Sequence, residues 1–132
     1  MKKWLKVLVL TFIGLTLAMN SGCKGSKFDI TGAWRVDYIL TSAANFEIGF
    51  SGSRTSGITI WDNQAAGEYA VADQDVEFVL RINVTIGGTT RTVIYHFVGA
   101  FENKDRMSGT VRAYDPDVQG SEVNGTWSAQ KM

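Results

Sequence analysis

The chain has 132 residues, which suits one domain and leaves no room for two substantial cores. Lys plus Arg and Asp plus Glu number 13 each, so the formal net charge is zero, which argues against a nucleic-acid partner because such proteins need clustered positive charge. One Cys and one His argue against most metal sites, since zinc commonly takes three or four protein ligands. We expect no metal and no cofactor.

The first 22 residues predict a signal helix rather than part of the fold. Lys2, Lys3 and Lys6 precede residues 7–19, which are almost entirely apolar. A helix of that length rises about 20 Å, which is short of the roughly 30 Å hydrocarbon core of a bilayer. The pattern therefore favours an export signal over a stable membrane span.

The single cysteine follows this segment directly. Ser21 and Gly22 precede Cys23, and this arrangement resembles the signal peptide of bacterial lipoproteins, in which the cysteine is lipidated and becomes the new N-terminus. Asn20 departs from that pattern, which usually has Leu there. The resemblance implies a lipid anchor on Cys23, and Lys24 in place of Asp favours the outer membrane, facing the periplasm or the cell surface. The alternative is an ordinary secretory signal with an incidental cysteine.

Removal of the signal leaves 10 basic and 13 acidic residues. A domain with a net charge of −3 gains nothing from anionic lipid head groups, so the lipid must hold the protein at the membrane. We assign residues 23–29 to a lipidated tether and residues 30–132 to the folded domain.

The remainder of the chain alternates with period two, which is typical of strands with one buried face. Gly87-Gly88 predicts a tight hairpin turn, because both positions tolerate positive φ angles. Eight strands with short turns predict an all-β, eight-stranded antiparallel up-and-down barrel, since closure removes the two free sheet edges. The predicted strands are centred on residues 34–40, 46–50, 58–60, 67–71, 76–86, 93–101, 107–113 and 123–129.

Two similar tetrapeptides bracket the domain, Thr31-Gly32-Ala33-Trp34 and Asn124-Gly125-Thr126-Trp127. They are explained either by convergent strand chemistry or by kinship. Gly32-x-Trp34 resembles the signature of lipocalin and calycin barrels, in particular the compact lipocalin-like domains of bacterial lipoproteins. The resemblance implies that Trp34 closes one barrel end near a base of the last strand, where Lys131 stands in place of the usual Arg. Avidin-type barrels also begin with such a pattern, but their biotin ligands have no counterparts in residues 35–50.

Residues that could carry catalysis are few. His96 alternates with Tyr95 and Phe97, so it faces the outer wall, where a lone histidine is most simply a solvated or packing residue. The acidic pairs at 73/75 and 115/117 are typical of turns, and the second fails the twelve-residue calcium-loop spacing. We expect no enzymatic activity.

Ten aromatic residues lie on the register that faces the interior, so we expect a mostly filled barrel with at most a small apolar pocket at one end. The predicted function is binding of a small hydrophobic ligand. The alternative is a structural or protein-interaction module with an envelope protein partner, favoured by apolar residues on the outward register: Ile39, Trp61, Ile94 and Val98. The candidate ligand-binding residues are Trp34, Tyr38, Phe78, Tyr95, Phe97 and Trp127.

Overall fold

A computed structural model describes residues 26–132. The predicted signal segment and Cys23 lie outside the described residues. The part that is described consists of eight β-strands joined by turns and loops. The strands are β1 (Gly32–Ile39), β2 (Ala43–Gly52), β3 (Ser56–Trp61), β4 (Gln64–Ala72), β5 (Asp75–Ile86), β6 (Thr89–Asn103), β7 (Arg106–Tyr114) and β8 (Val123–Lys131).

The strands form a closed antiparallel barrel in chain order. Each strand pairs with its neighbours in the sequence, and β8 pairs with β1 to complete the wall, with Trp34 opposite Lys131 and Tyr38 opposite Trp127. The predicted fold class is therefore confirmed. Trp34 and Trp127 lie on the two strands whose pairing closes the barrel, as the sequence predicted.

The barrel interior is one continuous apolar cluster. Alternation places one side chain in two on this face, and the aromatic residues of the predicted inward register are all part of the cluster. Seven are buried and three, nearer one end, are partly buried. The ten are Trp34, Tyr38, Phe46, Phe50, Tyr69, Phe78, Tyr95, Phe97, Phe101 and Trp127.

Paired glycines let the β6 and β7 backbones come unusually close in the barrel wall. Gly99 lies opposite Gly109, and a Cβ added to Gly109 would lie 2.0 Å from the carbonyl oxygen of Val98. The indole Nε1 of Trp127 donates a hydrogen bond to that same oxygen at 3.2 Å. The Val98 carbonyl, which the two glycines leave accessible from the barrel interior, thus receives a hydrogen bond from the interior side chain of Trp127.

The β3–β4 hairpin is joined to the two neighbouring strands unequally, because β3 pairs with β2 along most of its length whereas β4 pairs with β5 only from Tyr69 to Ala72. The β2–β3 ladder ends at Gly49 and Ile60, and the β4–β5 ladder ends at Tyr69 and Phe78. Beyond those residues the hairpin pairs only within itself, up to a two-residue turn in which Asp62 and Asn63 both have positive φ. Its tip therefore depends on side chains for attachment to the neighbouring strands.

Three side-chain interactions supply that attachment. Thr59 Oγ1 donates to the Val79 carbonyl oxygen at 2.9 Å, across the point where β4 and β5 separate. Arg81 makes two hydrogen bonds to the Glu68 carboxylate, at 2.9 and 2.5 Å. Trp61 packs against the interior cluster.

The predicted outward orientation of Trp61 is wrong, for a physical reason. Thr59 faces inward and is fully buried, whereas Ile58 is 44% exposed. The polar residue is buried because its hydroxyl bonds a backbone carbonyl, so Ile58 and Ile60 lie on the outer face instead. Trp61, two residues after Thr59, shares the inward register. Ile94 does face outward, as expected, but is only 1% exposed.

Residues 26–31 cover one end of the barrel, which we call the closed end. Lys27 N donates to the Asp73 carbonyl at 2.8 Å, and the rings of Phe28 and Phe101 lie 5.1 Å apart. Ile30 is fully buried, and its carbonyl accepts a 2.8 Å hydrogen bond from Trp34 Nε1. Within the proposed tether, residues 26–29 thus lie against the barrel.

The opposite end, the mouth, is surrounded by the turns at 40–42, 62–63 and 87–88 and by the loop 115–122. The hairpin turn predicted at Gly87-Gly88 is confirmed, with φ of 60° and 80°. Because β6 pairs with β7 only from Ile94 onward, the last part of the β5–β6 hairpin projects past the mouth as a two-stranded ribbon. Its inward register carries Ile82, Val84 and Ile86.

Candidate functional site

The centre of the barrel is filled by aromatic rings. Phe78 and Phe97 stack with their centroids 4.5 Å apart and their planes within 9°. Trp127 meets both rings edge-on, at 5.2 and 5.7 Å. All three side chains are buried, so this layer is a packed core rather than a binding cavity.

A second aromatic layer lies on the mouth side of this stack. The ring of Tyr38 packs edge-on against those of Phe46 and Tyr95, with centroid separations of 5.7 and 6.1 Å. These three rings are only partly buried. They form the floor of the mouth and are the first interior aromatic groups that a molecule entering from this end would meet.

A cavity of about 290 Å³ opens beside Tyr95. This volume lies just below the roughly 300–1,000 Å³ typical of small-molecule sites, so a single ring or a short acyl chain would fill it. Its walls combine inward-facing apolar residues with the start and end of the β7–β8 loop. The lining residues are Leu40, Thr41, Val93, Tyr95, Ala113, Tyr114, Asp115, Ser121 and Val123.

The acceptors on the loop side of this cavity already have partners. Asp115 Oδ2 accepts from Arg91 Nη1 at 3.3 Å, and its Oδ1 accepts from the Asp117 backbone at 2.9 Å. Ser121 Oγ accepts from the Asp115 backbone at 2.9 Å and contacts the Val118 carbonyl as a donor at 2.8 Å. The loop thus holds its own shape through these hydrogen bonds.

The hydroxyl of Tyr95, unlike these loop groups, has no hydrogen-bond partner among the described residues. Neither it nor the hydroxyl of Tyr38 makes a hydrogen bond to another residue in the described part of the chain, 26–132. Burial raises the pKa of Tyr95 above its ordinary value of 10.0, and the neighbouring Tyr38 adds to that rise. Tyr95 therefore stays protonated at neutral pH and presents an O–H donor at the cavity.

The candidate ligand-binding residues separate into three groups. Tyr95 lines the cavity, and Tyr38 lies beside it. Phe78, Phe97 and Trp127 form the layer beneath, while Trp34 lies at the closed end, away from the mouth.

The sequence candidates did not include Val93, Ala113 and Val123, which also line the cavity. All three belong to the same inward register as the aromatic residues, so their alternation was a signal for this role. An aliphatic residue near a barrel end is harder to assign to a binding site, because alternation in the sequence does not show how far the barrel wall extends at that end.

Two further depressions lie on the outer wall. One of about 630 Å³ lies where β2 and the β3–β4 hairpin separate, and another of about 360 Å³ lies over β1, β2 and β8. Exposed polar residues such as Glu47 and Asn63 in the first, and Asn45 and Thr126 in the second, make up much of their lining. We prefer the mouth cavity as the candidate site because its apolar walls continue the barrel interior.

His96 is held on the outer wall by ionisable neighbours. Its Nε2 lies 2.7 Å from Glu77 Oε2, and its Nδ1 lies 3.3 Å from Arg112 Nη2. Because guanidinium nitrogens only donate, Nδ1 accepts and Nε2 carries the proton that is donated to Glu77. Among residues 26–132, no Ser, Thr or Cys makes a hydrogen bond to His96, whose side chain is 7% exposed.

Residues 26–132 contain no group of three or more His, Cys, Asp or Glu side chains arranged to hold a metal ion. Within the same range, no helix has the length and apolar character needed to span a bilayer.

Comparison with known proteins supports the fold. No protein-family model matches the chain, and no curated protein matches it. A solved structure described as EF1p2_mFAP2b bound to DFHBI is similar, with a TM-score of 0.56 and 10% sequence identity. The similarity covers 89% of this chain and 98% of the other. At this level of identity the comparison shows a shared barrel fold.

Proposed function

We propose that the protein is a lipid-anchored lipoprotein of the bacterial cell envelope whose barrel binds a small apolar ligand at its mouth, without catalysis. The observation that carries the binding role is the cavity of about 290 Å³ beside Tyr95. It continues the apolar interior, and the filled layer of Phe78, Phe97 and Trp127 limits its depth. A short acyl chain or a single aromatic ring fits these limits.

The structural neighbour supports a ligand role for a barrel of this shape. EF1p2_mFAP2b is bound to DFHBI, a small molecule, and the two chains share the barrel over most of their lengths. In the present chain the mouth is the open end, and one side of its wall extends past it as the β5–β6 ribbon. The inward register of this ribbon is apolar at Ile82, Val84 and Ile86.

The anchor rests on the sequence. Cys23 follows a short apolar segment and two small residues, and Lys24 favours the outer membrane, facing the periplasm or the cell surface. The described part of the chain begins at Ser26, which bridges to Asp73 at the closed end. Few residues then separate the proposed lipid from the folded barrel, so the lipid would hold the domain close to the bilayer.

A second candidate function is an interaction module for an envelope partner. The observation that favours it is the set of exposed apolar side chains on the outer wall, with Ile39 at 55%, Ile58 at 44% and Val98 at 45% exposure. The neighbouring outer-wall cluster of Val79 and Ile94 is already buried and offers no area to a partner. Exposed apolar area of this kind is a feature of protein-protein interfaces.

The ligand role is tested with the full chain in lipid nanodiscs, titrated with short fatty acids and hydrophobic dyes. Trp fluorescence and melting temperature are recorded, with empty nanodiscs as a blank, since binding to the native state raises the melting temperature. Ala113→Leu should fill the cavity and abolish both responses, whereas Ala65→Leu, on the exposed face of β4, should leave them unchanged. If no compound changes either signal at near-millimolar concentration, the ligand role is wrong and the interaction module replaces it.

The anchor is tested separately by Cys23→Ala in the producing bacterium. We expect the variant to accumulate as uncleaved precursor or to leave the membrane fraction, and to take up no labelled palmitate. Palmitate incorporation into this variant would show that the anchor lies elsewhere.

A further inference from the structure

The mouth cavity holds an unequal set of hydrogen-bonding groups. The Asp115 carboxylate and the Ser121 hydroxyl are engaged within the β7–β8 loop and with Arg91, at distances between 2.8 and 3.3 Å. Arg91 donates one hydrogen bond to Asp115, and its side chain is 52% exposed beside the mouth. Because a guanidinium carries five N–H donors, most of them remain available there.

Tyr95 adds a phenolic side chain to the lining of the cavity. Its ring packs edge-on against Tyr38, with the centroids 6.1 Å apart, and neither hydroxyl has a hydrogen-bond partner in the described range 26–132. Both hydroxyls are attached to partly buried rings on the floor of the mouth. A partly desolvated O–H that lacks a partner gains most from a ligand that brings an acceptor.

The apolar walls determine the size and the apolar character of the rest of the ligand. Val93, Ala113 and Val123 offer no polar side-chain atom, and the volume of about 290 Å³ suits one ring rather than two. An aromatic ring also matches the edge-on packing of the floor, where Tyr38, Phe46 and Tyr95 already meet in that geometry.

We propose that the mouth selects small single-ring aromatic compounds whose polar group accepts hydrogen bonds, with the Tyr95 hydroxyl as the donor and Tyr38 beside it. This inference rests on the proposed ligand-binding function and narrows it. Compounds that carry a positive charge, such as primary ammonium ions, are disfavoured because the Asp115 carboxylate that lines the cavity is already paired with the Arg91 guanidinium, which repels a second cation.

The test uses three compounds of nearly the same shape: ethylbenzene, acetophenone and 1-phenylethylamine. Each is titrated by calorimetry into the full chain in nanodiscs, with empty nanodiscs as a blank. The matched variants are Tyr95→Phe, which removes the hydroxyl and keeps the ring, and Tyr69→Phe, whose hydroxyl bonds the Ser53 carbonyl at the other end of the barrel.

We expect Tyr95→Phe to weaken acetophenone binding by up to about tenfold, the size of one hydrogen bond, and to leave ethylbenzene unchanged. Tyr69→Phe should alter neither, and the amine should bind most weakly of the three. An equal effect of Tyr95→Phe on ethylbenzene and acetophenone, or tightest binding of the amine, would overturn the acceptor preference while the ligand site stands. Absence of binding by all three, together with failure of the fatty acids and dyes, would instead refute the proposed function itself.

Discussion

Lys131 of β8 reaches across the closed end to Trp34 of β1. Its Nζ lies 5.8 Å from the centroid of the indole ring and donates to the Asp29 carbonyl at 3.1 Å. One ammonium group thus connects the last strand, the first strand and the segment that covers this end. The lipocalin resemblance implied a base beside this tryptophan, and a lysine is found there.

Trp34 should be among the most costly side chains to shorten. It is fully buried, so Trp34→Ala is expected to lower the free energy of unfolding by about 3–5 kcal/mol. Trp34→Phe keeps much of the ring but loses the hydrogen bond to the Ile30 carbonyl, and should cost less. Chemical denaturation monitored by far-UV circular dichroism measures both. Near-native stability of the Ala variant would mean that the closed end does not depend on this residue.

The closed end should weaken in acid through Asp29. The side-chain hydrogen bond from Thr31 at 2.6 Å, followed by the Thr31 backbone N–H, lowers the pKa of Asp29 below its ordinary value of 3.8. A lowered folded-state pKa contributes stability that is fully present above pH 3.8 and is lost as the pH falls through the folded value. The stability advantage over Asp29→Asn should therefore shrink below that pH, as melting curves across the acid range would show. A constant difference would contradict this.

Replacing a wall glycine by alanine should be costly at one position and nearly neutral at another. A Cβ on Gly125 would lie 1.7 Å from the Ile39 carbonyl oxygen, whereas a Cβ on Gly49 would lie 3.5 Å from Ile60 Cβ, an ordinary contact. We expect Gly125→Ala to cost about 3 kcal/mol or to prevent folding, and Gly49→Ala to change stability little. Thermal unfolding of the two variants side by side tests the barrel register, because a shifted register would remove the contrast.

Thr59 should act as a polar tie between the β3–β4 hairpin and β5. Thr59→Val keeps the shape but leaves the Val79 carbonyl without this donor, at an expected cost of about 1–3 kcal/mol. Thr126→Val, on the exposed face of β8, is the matched control and should be nearly neutral. Hydrogen exchange should then show faster opening of residues 60–68 in the Thr59 variant alone. Equal protection in both variants would argue that Arg81 and Trp61 hold the tip unaided.

Alternation was sufficient to predict the barrel, because most strands bury one face in an apolar interior. It predicted the inward aromatic residues, the Gly87-Gly88 turn and the closure of β1 on β8. It misplaced Trp61 because β3 buries a threonine and exposes an isoleucine. That choice depends on the Val79 carbonyl, twenty residues away, and local hydrophobicity carries no information about such a partner.

Only some of the residues at the mouth could be predicted, because the sequence shows which side chains face the interior but not how far along the barrel axis they lie. Tyr38 and Tyr95 were among the candidates, but so was Trp34, which lies at the other end. Residue type and register show that a side chain faces the interior. Its height along the axis follows from ladder lengths and loop contacts, such as Arg91 with Asp115, which involve residues far apart in the chain. Phe28 was assigned to the tether because its partner, Phe101, becomes its neighbour only after the barrel has closed.

The cover over the closed end has a consequence for ligand traffic. Ser26 and Met132 both lie at that end, through the bridge to Asp73 and a 3.0 Å hydrogen bond from Met132 N to the Ala33 carbonyl. A lipid on Cys23 would therefore turn the cavity away from the bilayer, and a ligand would exchange with the aqueous compartment rather than diffuse sideways out of the membrane. A handle fused after Met132 would likewise leave the entrance clear, so immobilised protein should retain its full binding capacity.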